Sequence, residues 1–169
     1  GPSWLTVSPN GLLGGAPSNQ DVGINSFTVR VSDSANASAT ANLIVVVSNT
    51  NDAPVFASNP ITRADGAEEM PYDGGTLADS AADADAGDFV SYSKISGPDW
   101  LVVSLAGGLS GTPPAGSAGL NSFTIRATDK AGAFAQADLQ INVASSGLPL
   151  PWQVEDLGKS GLTNRATFI

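Results

Sequence analysis

Apolar residues recur at every second position over two long stretches near the start of the chain. Across residues 25–32, Phe27, Val29 and Val31 fall on one side and Ser26, Thr28, Arg30 and Ser32 on the other. A period of two is the mark of a strand with one face buried and one face wet. Residues 39–47 do the same, with Ala39, Ala41, Leu43, Val45 and Val47 in phase, so the two stretches read as the last strand pair of a sandwich. Upstream, residues 4–8 and 11–14 flank Pro9-Asn10-Gly11, and the Asn-Gly dipeptide favours a tight hairpin between them.

The pattern then returns. Gly1-Pro2-Ser3-Trp4-Leu5 aligns with Gly97-Pro98-Asp99-Trp100-Leu101, and the register holds without a gap at a spacing of about 96 residues through Val47 and Val143, with roughly half the positions identical. Between the copies, residues 61–63 form a weak opening strand. Asp65-Gly66 and Tyr72-Asp73-Gly74-Gly75 read as turn punctuation before Thr76 and Leu77, and residues 89–95 form a better strand. No segment shows helical periodicity. About seven short strands separated by glycine and proline predict an all-β, Greek-key β-sandwich.

The repeat also sets the domain organisation. Residues 1–48 are the C-terminal half of a sandwich, 49–56 a linker, 57–146 a complete sandwich, and 147–169 a linker, the start of a different module, or a donated strand. A half sandwich exposes apolar faces and open strand edges, so residues 1–48 are expected to be completed by another chain, a swapped segment or the tail.

Composition narrows the function. With 16 acidic against 7 basic residues and a net charge of −9, the chain is a poor partner for nucleic acid, whose backbone demands clustered Lys and Arg. The absence of cysteine and histidine excludes disulfides, Cys/His zinc sites and the commonest general base. No run approaches the ~20 apolar residues of a membrane span, so no membrane insertion is expected, and nothing at Gly1 reads as a signal peptide. The sequence reads as a soluble piece of a longer polypeptide.

Acidic residues concentrate in a few places. Asp83-Ala84-Asp85-Ala86-Gly87-Asp88 sets three carboxylates in a glycine-containing turn just before a strand, where like charges repel unless a cation sits among them. A solvated acidic loop is the other reading, given the turn preference of Asp and Gly. Glu68 and Glu69 are expected at the opposite pole, near the tail, where simple solvation is favoured over a second metal site. Trp4 and Trp100, each at the start of an internal strand, read as core residues rather than sugar platforms. Trp152, between prolines in the tail, is either an interface anchor or packed on its own module. The acids sit in turns rather than facing one another across a cleft, which argues against a glycosidase-like carboxylate pair.

The Trp-Leu pairs, the Gly-x-x-x-Gly-x-Pro spacing from Gly11 and Gly107, and the Phe-Thr-x-Arg-x-x-Asp strand resemble the dystroglycan-type cadherin-like domains, also catalogued as immunoglobulin-like repeat domains of bacterial surface proteins. Asn51-Asp52-Ala53-Pro54 is similar to the interdomain linker of cadherins. The resemblance implies immunoglobulin/cadherin-like sandwiches and calcium ligands from Asn51, Asp52, Asp83, Asp85, Asp88 and Asp129 gathered at one pole. Asp33, the repeat mate of Asp129, lacks partner carboxylates and is expected to be metal-free. The function implied is a noncatalytic, extracellular, calcium-binding spacer or adhesion segment of a larger secreted or cell-surface protein. Its partners would be neighbouring modules, another copy of the chain, a polysaccharide or a cell-surface protein. The alternatives are a carbohydrate-binding accessory module of a polysaccharide-active protein, and a filament or surface-layer subunit completed by strand exchange.

Overall fold

The computed structural model describes residues 1–147, in which every regular element is a strand apart from one 3₁₀ turn at Asn19–Asp21. Trp152 lies outside the described residues. In the first repeat, β1 (Leu5–Val7) pairs antiparallel with β2 (Leu13–Gly15), and β3 (Gly23–Ser32) pairs along its length with β4 (Ser38–Val47). The β1–β2 hairpin falls around the Asn10-Gly11 turn and the β3–β4 hairpin where the alternation placed it.

The second repeat begins after the linker with β5 (Val55–Phe56), β6 (Ile61–Thr62), β7 (Gly66–Ala67), β8 (Tyr72–Thr76), β9 (Ala81–Ala82) and β10 (Ser91–Ser96). It continues through β11 (Leu101–Val103), β12 (Gly108–Gly111), β13 (Gly119–Thr128) and β14 (Phe134–Ala144). One sheet runs β10-β13-β14, with β6 and β7 added in parallel along the far edge of β14; the other runs β11-β12-β8, and β5 pairs with β9. Residues 72–75, expected as a turn, are instead the strand β8, with Tyr72 opposite Gly111. Glycines weaken a strand without forbidding it, and here the neighbouring strand supplies the pairing.

The two sheets enclose the core. Leu77, Ile125, Leu139 and Ile141 are fully buried, with Tyr92, Leu101, Leu109 and Phe123 packed among them. Trp100 lies edge-on to Tyr72 and Phe123, with ring centroids 5.5 and 5.3 Å away, and its indole N–H donates to Asn121 Oδ1 at 3.1 Å. The Asn121 amide donates in turn to the Ser117 and Gly119 carbonyls. This is the core role expected of Trp100. A Cβ on Gly111 would overlap the Trp100 carbonyl oxygen, so that crossing requires glycine.

The first repeat keeps the same internal devices: Trp4 stands edge-on to Phe27 at 5.2 Å and donates to Asn25 Oδ1. Among the described residues nothing covers its inner face. Val31 is 69% exposed where its mate Ala127 is 0%, and Leu13 is 46% exposed where Leu109 is 2%. Between its hairpins an open groove of ≈ 840 Å³ is lined by Val7, Leu13, Val29, Val31, Ala41 and Leu43.

Glu68 departs from the sequence reading. It is buried rather than solvated, and its carboxylate accepts from the N–H groups of Gly116 (2.7 Å), Ala118 (2.9 Å) and Ser146 (3.1 Å) and from the Ser146 hydroxyl. The Ser146 N–H above all, helped by the other donors against the opposing effect of burial, holds its pKa below the usual carboxylate value. A carboxyl with a lowered folded pKa contributes stability that is present above its unfolded pKa and lost as pH falls through the folded one.

Two outcomes follow for urea or thermal unfolding. Leu139→Ala, at a fully buried site, should cost about 2–5 kcal/mol, whereas the same change at its only partly buried mate Leu43 should cost clearly less. Glu68→Gln should lower the melting temperature at neutral pH, and its gap from the parent should close below about pH 4, as the parent carboxyl protonates.

Candidate metal centre

Three chain segments far apart in sequence meet at the pole where the linker joins the second repeat. The first is the turn between β9 and β10, where Asp83 Oδ1 accepts from the Asp85 N–H at 2.8 Å and the Asp88 N–H donates to the Asp85 carbonyl at 3.2 Å. Gly87, at φ +87°, lets the turn close. The second is the β13–β14 turn, where Asp129 Oδ1 accepts from the N–H groups of Gly132 (2.6 Å) and Ala133 (2.8 Å). The third is the linker itself, seated by the fully buried Pro54.

The linker is tied to both turns. Asn51 donates its side-chain amide to Asp129 Oδ2 at 2.8 Å, and the Asp52 N–H donates to Asp85 Oδ2 at 2.8 Å. The hydrogen bond from Asn51 is the largest influence holding the Asp129 pKa below its ordinary value; burial works against it, and the N–H groups of Gly132, Ala133 and Ala131 add to the lowering. The Asp52 carboxylate turns to the first repeat, where Oδ2 accepts from the Asn19 amide at 2.7 Å.

Asp83, Asp88 and Asp129 each offer an oxygen, and these oxygens lie within 4.8 Å of one another. Asp85 and Asp129 are buried. Two carboxylate oxygens, Asp83 Oδ2 and Asp85 Oδ1, are buried without any hydrogen-bond partner. Unpaired acceptors held out of water beside other carboxylates are costly. A hard cation bound through oxygen atoms is the ligand that such a donor set suits.

All six residues named from the sequence thus stand at one pole, in different capacities. Asp83, Asp88 and Asp129 converge directly. Asp85 stands beside them with one oxygen on the linker and the other unpartnered. Asn51 is present as an amide donor, and Asp52 engages the turn through its main-chain N–H. Asn19 is the participant that sequence reasoning missed; its repeat mate is Ala115, so the repeat gave no signal for it. Asp33 turns its hairpin as Asp129 does, accepting from the Ala35 and Ala37 N–H groups at 2.9 Å.

Comparison with known proteins agrees with this architecture. Residues 1–48 and 53–144 match the family model described as "Putative Ig domain". The chain is 34% identical to an endo-fucoidan hydrolase, MfFcnA4, from glycoside hydrolase family 107; the match covers 86% of this chain and 22% of that one, with a TM-score of 0.52. Mouse cadherin-23 EC22-24 is 19% identical over 84% of this chain and 50% of its own, with a TM-score of 0.62. Protocadherin gammaB7 EC3-6, in a cis-dimer structure, is 18% identical over 85% of this chain and 39% of its own, with a TM-score of 0.61. At those identities the cadherins speak to the fold alone. Among curated proteins none matches the chain. The break in the family match falls at the linker that carries Asn51 and Asp52, and with the paired sheets on either side of it the chain belongs to the immunoglobulin-like domain family that this model describes.

Proposed function

We propose that the chain is a noncatalytic, extracellular spacer segment whose linker pole binds calcium and thereby stiffens the connection between adjacent repeats. The observation that carries this reading is the pair of buried, partnerless oxygens on Asp83 and Asp85 beside the three converging carboxylates. Asp83, Asp85, Asp88 and Asp129 would hold the ion, with Asn51 and Asp52 fixing the linker against them. An ion bound only by the assembled pole stabilises it by mass action. Its effect on shape comes from the same source, because the ligands belong to two turns that the linker bridges.

A second reading draws on the 34% identity to part of an endo-fucoidan hydrolase: the chain serves as an accessory module of a polysaccharide-active protein, with a glycan as partner. Trp100 is unsuited to stacking on sugar, since Tyr72 and Phe123 pack against it and Asn121 holds its N–H. The platform in that reading is Trp152.

Thermal melts with calcium chloride and with chelator test the first reading. At calcium about 100-fold above Kd the gain is ~2.7 kcal/mol, enough to raise the melting temperature by several degrees, and Asp85→Asn should abolish most of it. Equal melting in calcium and in chelator would sink the proposal. For the second reading, pull-down on insoluble anionic polysaccharide should fail for Trp152→Ala while that variant melts like the parent; retained binding would remove Trp152 from the interface.

A further inference from the structure

A line of hydrogen bonds runs from the aromatic pair of the first repeat to the linker pole, and it passes through Asn19. In the 3₁₀ turn Asn19–Asp21 the Asp21 carboxylate accepts from the Ser18 N–H and from the Ser18 hydroxyl, each at 2.8 Å. The Asp21 carbonyl accepts from the Asn25 amide at 2.6 Å, and Asn25 Oδ1 in turn receives the Trp4 indole N–H. The same indole-to-amide bond recurs between Trp100 and Asn121, so the turn is held from behind by a feature that both copies build alike. From this turn the Asn19 amide donates to Asp52 Oδ2 at 2.7 Å.

Asp52 carries the connection onward through its main chain. Its N–H donates to Asp85 Oδ2 at 2.8 Å, while Asp85 Oδ1 is one of the two buried oxygens without a hydrogen-bond partner. One oxygen of the Asp85 carboxylate therefore connects to the first repeat through two hydrogen bonds, and the other is left for an ion. The Asn51 amide ties the linker to Asp129 and so to the second repeat alone. Among the described residues, the Asn19–Asp52 bond is the one side-chain hydrogen bond that crosses from the first repeat to the linker.

We infer that Asn19 is the positioning residue through which ion binding at the linker pole is transmitted to the first repeat, an inference that rests on the calcium reading proposed above. A carboxylate with one buried oxygen unpaired is poorly secured. A cation that takes that oxygen fixes the Asp85 carboxylate, and with it the acceptor of the Asp52 N–H. Asp52 then keeps its side chain on Asn19, where it has a charge-assisted partner, instead of turning it to the ion. Occupancy of the pole and ordering of the first repeat become one linked equilibrium, in which each favours the other by the same factor.

The chain has no cysteine, so nitroxide labels can be set by Ser26→Cys and Ser122→Cys, at exposed positions on β3 and β13. Double electron–electron resonance then reads the spread of the distance between them in calcium chloride and in chelator, and calorimetry gives the calcium affinity. Calcium is expected to narrow the distribution in the parent. Asn19→Ala should leave it as broad in calcium as in chelator and, by the same linkage, weaken calcium binding about fivefold, the low end for coupled sites. Asn19→Asp, which sets two carboxylates face to face, should behave likewise. Adding Asp52→Asn to it should restore the narrowing, because the exchanged pair remakes the hydrogen bond with its polarity reversed; simple damage to the turn would not be repaired in this way. Calcium bound by the parent without narrowing, narrowing retained in Asn19→Ala, or no recovery in the exchanged pair would each overturn the inference while leaving the ion site standing. A parent that binds no calcium would remove both.

Discussion

The antiparallel register between β13 and β14, from Gly119 opposite Val143 to Thr128 opposite Phe134, governs both poles of the second repeat. At one end it turns at Asp129, whose Oδ1 caps the turn and whose Oδ2 takes the linker amide of Asn51. At the other it delivers Ser146 to Glu68. Inward-facing Phe123, Ile125, Leu139 and Ile141 lock the register by burial, since a slip of one residue would turn that whole set outward. The position of both carboxylates thus depends on an apolar pattern some way from either.

The repeats share this hairpin and differ in what covers it. The edge-on Trp–Phe pair and the Trp–Asn hydrogen bond occur in both copies, so these contacts are properties of the repeated half itself. Tyr72 joins the aromatic cluster only in the second repeat, because it comes from the strands that the first repeat lacks among the described residues. The comparison within one chain separates what a strand pair achieves by local pattern from what requires the opposite sheet.

Much of this was legible in the sequence. The alternation of Phe27, Val29 and Val31 identified a strand and its face, the repeat identified the partner of each position, and the Asp83–Asp88 spacing marked a turn that needs compensation for its charge. Other features were hidden for physical reasons. Glu68 looked like a solvated surface acid because its donors lie 48 to 78 residues further along, and nothing in its immediate sequence reports them. Residues 72–75 looked like a turn because two adjacent glycines disfavour a strand locally, while pairing with β12 overrides that preference. Asn19, which donates to Asp52, could not be found by repeat logic, because its mate Ala115 has no side-chain amide.

The parallel placement of β6 and β7 against β14 carries a mechanical consequence. The chain enters the second repeat through the linker and β5, which pairs with β9, before reaching β6, and leaves β14 at the other end, so tension passed on to β6 and β14 drags these neighbouring strands in opposite directions along their common axis. Their hydrogen bonds are loaded in shear and must fail together, whereas a hairpin pulled open from its ends fails one bond at a time. Glu68, bonded to Ser146 where the load departs, sits where it would resist the first slip.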